Sequence, residues 1–85
     1  MKKVVKFGGS SLASAEQFVK VGNIIHEDED RKFVVPSAPG KRFDEDTKVT
    51  DMLYACYALA ERDHSFNAEM AQIEKRYQEI IDGLK

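Results

Sequence analysis

Lys6-Phe7-Gly8-Gly9-Ser10-Ser11-Leu12 sets two glycines and two serines directly after the apolar pair Val4-Val5 and ahead of a helical pattern. The most flexible residues of the chain thus stand where a strand hands over to a helix. Glycines there can adopt backbone angles closed to other residues, and they leave no side chain in the way. The backbone amides of Gly8, Gly9, Ser10 and Ser11 can then face an anion, to which the next helix adds its positive N-terminal end. Lys6 is near enough to reach the same anion. An ordinary tight turn accounts for the same glycines, with Ser11 bonding the backbone as a turn residue. The stretch is neither a Walker A loop nor the three-glycine dinucleotide fingerprint.

Outward from this turn, Lys2 to Phe7 predicts a strand, and adjacent Val4-Val5 suit one buried on both faces of a parallel sheet. Ser14 is placed to cap a helix, with Gln17 completing a capping box. Phe18, Val21 or Gly22, and Ile25 follow as one apolar stripe. The acidic run after His26 (Glu27-Asp28-Glu29-Asp30) disfavours a helix C-terminus, so the helix ends near His26 and the run becomes a solvated turn. Arg31 to Pro36, centred on Phe33-Val34-Val35, predicts a second strand. Residues 2–36 are therefore a parallel βαβ unit.

Pro36, Pro39, Gly40 and a mixed charge run make 37–48 a loop. A helical hairpin over 49–84 follows. Its first helix, Val49 to Arg62, carries Val49, Met52, Leu53, Cys56, Leu59 and Ala60 on one side. Asp63-His64-Ser65 forms the turn, with Ser65 as cap of the next helix and Gly83 as the residue that ends it. Phe66, Met70, Ile73, Tyr77, Ile80, Ile81 and Leu84 give that last helix an apolar stripe, expected to pack on the preceding helix or on another copy of the chain. Two strands alone do not make a stable sheet, and these helical stripes call for a larger body to cover.

Composition bounds the function. Eighty-five residues make one small domain, 42% hydrophobic and 33% charged, with a net charge of −2. That balance excludes a nucleic-acid-binding surface, which wants a basic excess. No apolar run approaches the ~18 residues of a membrane span, and no signal-peptide core follows Met1-Lys2-Lys3, so the cytoplasm is expected. Cys56 on the apolar stripe reads as a buried free thiol suited to a reducing compartment. His26 and His64 lack partners at ligand spacing, and the acidic run lacks the spaced ligands of a calcium loop, so no metal site is expected. Lys41-Arg42 reads as an exposed basic pair; beside Ser37 it could also steer an anionic substrate.

The stretch Lys6 to Leu12 closely resembles the opening signature of aspartate kinases. Val34-Val35-Pro36-Ser37-Ala38 resembles that family's second-strand motif, and Val49-Thr50-Asp51-Met52-Leu53 its entry to the next helix. The three motifs occur in register and, with the hairpin, cover essentially the whole chain. The resemblance implies an α/β fold: the N-terminal part of a three-layer α/β/α amino acid kinase domain. It implies phosphorylation of the side-chain carboxylate of L-aspartate by ATP with Mg2+, giving aspartyl phosphate in amino acid biosynthesis. Residue by residue, it implies that Lys6 contacts the transferring phosphoryl group, that Gly8, Gly9 and Ser10 hold phosphate oxygens, and that Ser37 and Thr50 bind the amino acid. The loop is longer than in some family members, which makes Thr47 a rival to Thr50. Complete members continue well beyond this length and are expected to be homo-oligomers, so the 85 residues are expected to hold part of a site and no activity. The alternative is a stand-alone non-catalytic module that keeps the anion-binding turn and dimerises through its hairpin.

Overall fold

A computed structural model describes all 85 residues. Strand β1 (Lys3–Phe7) pairs in parallel with β2 (Arg31–Pro36), and helix α1 (Ala15–His26) links them. Val5 pairs with Val34 and Phe7 with Pro36. Ser14 caps α1 as its position predicts, accepting from the Gln17 amide at 3.4 Å. The chain then runs through the loop into α2 (Val49–Glu61) and α3 (Asn67–Leu84).

Alternation along β1 decides which way the sheet faces. Val5 and Phe7 point to α1, where Phe7, Leu12 and Val21 form a small core joined by Phe18 and Ile25. Val4 and Lys6 point to the opposite face, and Val4 remains 70% exposed. Phe33 and Val35, their partners on β2, are exposed as well. Adjacent apolar residues therefore do not mark strands buried on both faces within this chain; α1 covers one face, and nothing in these 85 residues covers the other. Only 11 of the 85 residues are buried, and a radius of gyration of 15.4 Å describes an elongated body. A compact chain of this length would measure about 12 Å.

The hairpin differs from its sequence reading in four places. Its first stripe is narrower: Val49 and Cys56 are buried and Met52 and Leu59 half-buried, while Leu53 and Ala60 face solvent. The turn is a Schellman motif, with the His64 amide donating to Leu59 O at 2.9 Å and the Asp63 amide to Ala60 O at 3.1 Å. Ser65 does not cap α3, which starts two residues later; the Ser65 hydroxyl only accepts from the Asn67 amide. Gly83 lies inside α3 instead of ending it, because α3 also packs on α1 and Gly83 meets Ala15 there. The stripe of α3 accordingly divides. Ile73 packs beside Val49 and Cys56 in a second core and Ile80 is buried, while Phe66, Met70, Tyr77, Ile81 and Leu84 stay exposed.

The acidic turn is more than solvated. Asp28 accepts from Lys3 Nζ at 2.6 Å and from the Asp30 amide at 2.9 Å. Arg31 donates to the Ile24 carbonyl. Together they tie the ends of α1, β1 and β2. No helix is long and apolar enough to cross a membrane.

Candidate functional site

Gly9, Ser10, Ser37 and Thr50 converge on one cleft of about 430 Å³, completed by Ala38, Pro39, Gly40, Lys41 and Lys48. The convergence follows from the parallel pairing. Both strands end at the same edge of the sheet, and the Ser37 amide extends the ladder by donating to Phe7 O at 3.1 Å. The loop then folds back across the glycine turn. The Gly40 amide donates to Gly9 O at 2.7 Å, and the Val49 amide closes the loop on Pro39 O at 3.0 Å. The positive end of α2 is thereby set at the cleft through Lys48 and Thr50.

The turn itself is tighter than an open anion loop. Gly9 to Leu12 form one turn of 3-10 helix, in which the Ser11 amide is spent on Gly8 O at 3.1 Å. No glycine has a positive φ, so the adjacent glycines do not serve forbidden backbone angles. Gly9 serves close approach instead. A Cβ there would stand 3.1 Å from Gly40 Cα, and one on Gly40 would stand 2.6 Å from the Gly9 carbonyl carbon. Gly8 would meet nothing. The amides of Gly9 and Ser10 donate to no carbonyl among the turn and loop hydrogen bonds.

The lining carries two lysines, three hydroxyls and no carboxylate, a donor set suited to an anion. Lys6 and Gly8 lie outside it. Lys6 is exposed on the open face of the sheet, paired in register with Val35, and takes part in no ion pair. Thr47 lines a different depression, among Arg42, Asp46, Met52, Gln72, Lys75, Arg76 and Glu79.

That second region holds what the sequence did not disclose. Asp46, only 7% exposed at its side chain, accepts from Arg42 Nε at 2.6 Å, Arg42 Nη2 at 3.0 Å and the Arg42 amide at 2.9 Å. The Arg42 guanidinium, joined by the backbone amides of Arg42 and Thr47, holds the Asp46 carboxyl far below the usual carboxylate range, although its burial opposes this. Asp46 in turn raises Arg42, which also reaches Glu79 at 3.0 Å and lies over the Phe43 ring. Arg42 thus braces the loop, while Lys41 faces the cleft. Arg76 crosses from α3 to donate to Gly40 O at 2.8 Å, Thr47 O at 2.9 Å and Ala13 O at 3.3 Å. An arginine on a helix ordinarily reads as a solvent-facing charge. Its position three residues after Ile73 and four before Ile80 was the available signal of an inward one.

No protein-family model matches the chain. Aspartokinase 3 of Bacillus subtilis (strain 168) is 67% identical over 54 residues, covering 64% of this chain and 12% of the relative. A bifunctional aspartokinase/homoserine dehydrogenase of Daucus carota is 34% identical over 79 residues, covering 91% of this chain and 8% of the relative. Among solved structures, the aspartate kinase of Clostridium acetobutylicum superposes with a TM-score of 0.92 at 49% identity, over 99% of this chain and 20% of that one. The chain thus spans a fifth or less of the proteins it matches. Motifs, parallel α/β architecture and these likenesses agree: the chain belongs to the aspartate kinase family, as a segment of its fold.

Proposed function

We propose that this chain supplies the phosphate- and amino-acid-binding corner of an aspartate kinase, in which ATP phosphorylates the side-chain carboxylate of L-aspartate. The observation that carries the reading is the convergence of Gly9, Ser10, Ser37 and Thr50 on a single cleft with Lys41 and Lys48 and no carboxylate. In it, the amides of Gly9 and Ser10 and the Ser10 hydroxyl receive phosphate oxygens, with Gly8 contributing from the same turn. Ser37 and Thr50 hold the amino acid. Lys6, free of any ion pair, neutralises charge on the transferring group.

The acceptor needs no base. A carboxylate with a pKa near ~4 is already ionised at neutral pH, so the chain needs no acid–base pair to activate it. Phosphoryl transfer depends instead on in-line positioning and on neutralising the three equatorial oxygens, which lysines and amides perform. Magnesium enters this reading as the companion of the nucleotide phosphates. The open sheet face and the short span against the relatives support a corner that binds without turning over alone.

The test is a chimera in which this chain replaces the matched fifth of the C. acetobutylicum enzyme, assayed for aspartate-dependent ADP formation. The chimera is expected to be active, the 85-residue chain silent, and Lys6→Ala in the chimera slower in kcat by about 10²-fold or more. A Lys6→Ala chimera as fast as its parent removes Lys6 from the chemistry. Turnover by the isolated chain refutes the division of labour.

A further inference from the structure

We infer that Arg76, outside the cleft, is a positioning residue that sets the direction of the anion-receiving Ser10 amide by locking the crossing of Gly9 and Gly40. This rests on the anion-binding reading of the cleft given above. The residue is 4% exposed, and its fork is filled by backbone oxygen: Gly40 O and Ala13 O on Nη2, Thr47 O on Nη1, with Asp46 Oδ2 at 3.6 Å. Those three carbonyls belong to the residue after the 3-10 turn, the start of the loop and its end. A leucine or methionine would continue the apolar stripe of α3 between Ile73 and Ile80. The buried cation is tolerated because every donor it turns inward finds an oxygen, and no buried polar side-chain atom lacks a partner.

The consequence runs through Gly40. Its carbonyl accepts from Arg76 and its amide donates to Gly9 O, so both peptide groups flanking its Cα are held. The carbonyl and the amide hydrogen of a trans peptide point in opposite directions. Fixing Gly9 O on the Gly40 amide therefore fixes the Ser10 N–H as well, on the side of its peptide opposite to that hydrogen bond. Arg76 reaches the site in two hydrogen-bonded steps without touching it, as its absence from the cleft lining requires.

The experiment titrates inorganic phosphate into the full 85-residue chain and reads affinity from the Gly9 and Ser10 amide shifts by 15N NMR. Arg76→Met and Arg76→Lys are compared at about 0.05 M and about 0.5 M salt, where charge effects are screened. Affinity is taken from the folded population, which a change in global stability does not move. Arg76→Met is expected to bind about tenfold more weakly, the scale of one aligned hydrogen bond. Arg76→Lys, keeping the charge without the fork, is expected to show the same loss, and the ratio is expected to survive at high salt. Binding as tight as the parent in Arg76→Met overturns the inference. So does recovery in Arg76→Lys, or a loss that disappears in salt, since either makes charge the cause. If Arg76→Met does not fold, Arg76→Lys decides alone. A parent chain whose Gly9 and Ser10 amides ignore phosphate sinks the cleft reading itself and this inference with it.

Discussion

Gly9 and Gly40 touch backbone to backbone, with the Gly40 amide 2.7 Å from Gly9 O, no room for a Cβ on Gly40 and only a tight fit for one on Gly9. This contact makes the glycine turn and the loop one structure. Gly40→Ala is expected to destabilise the chain by about 1–3 kcal/mol through overpacking and to open the cleft. Gly8→Ala, whose Cβ meets nothing within 4 Å at a negative φ of −76°, should leave the urea midpoint nearly unchanged. Equal effects of the two would dissolve the contact's role.

Thr50 lines the cleft and Thr47 does not. In the active chimera, Thr50→Val is expected to raise KM for aspartate by about tenfold, as for one lost hydrogen bond. Thr47→Val contributes its carbonyl to Arg76 unaltered, so its KM should stay within about twofold of the parent. The reverse order would move the amino acid to the Arg76 side of the loop.

Asp46 makes the loop sensitive to acid. Its folded-state pKa lies below its unfolded value of about 3.9, so its stabilisation is complete above about pH 4 and is lost as the pH falls toward the folded value. Asp28, lowered by Lys3 and the Asp30 amide, follows the same sign. Thermal midpoints should therefore be flat between about pH 5 and pH 7 in respect of these groups and drop below about pH 4. Asp46→Asn is expected to lower the plateau and flatten the acid limb. An unchanged acid limb would show that Asp46 is not the group being titrated.

Gly83 sits against Ala15, where a Cβ would stand 2.5 Å from the Ala15 Cβ. Gly83→Ala gains about 1 kcal/mol of helix propensity but forces α3 off α1, at about 1–3 kcal/mol. The clash should win. Adding Ala15→Gly should recover part of the loss, and a coupling near zero in that double-mutant cycle would mean the helices do not meet there.

Asp63 holds a φ of 56° at the end of α2, a conformation costly for a side chain. Asp63→Gly is expected to stabilise the chain by about 0.5–1 kcal/mol while keeping the Schellman bonds, read as a higher urea midpoint at constant slope.

Element order, the Ser14 cap and the end of α1 at His26 were legible in the chain, because they depend on neighbours a few positions apart. That Gly9, Ser10, Ser37 and Thr50 share one cleft was implied only by the resemblance of their motifs to the family, since no local pattern brings them together. Some features that look local still needed the fold. Leu53 reads as core by its spacing and Val4-Val5 as doubly buried, but burial requires a partner surface, and this chain supplies only α1 and α3.

Apolar periodicity, capping and glycine placement by themselves determined a parallel βαβ unit with a helical hairpin, because those are preferences of short segments. Tertiary structure alone decided that Gly40 must be glycine, that Thr47 faces away from the cleft, and that Arg76 turns inward to the carbonyl of Ala13, 63 positions earlier. Each of these is a contact between distant segments, whose energy exists only once the chain has brought them together.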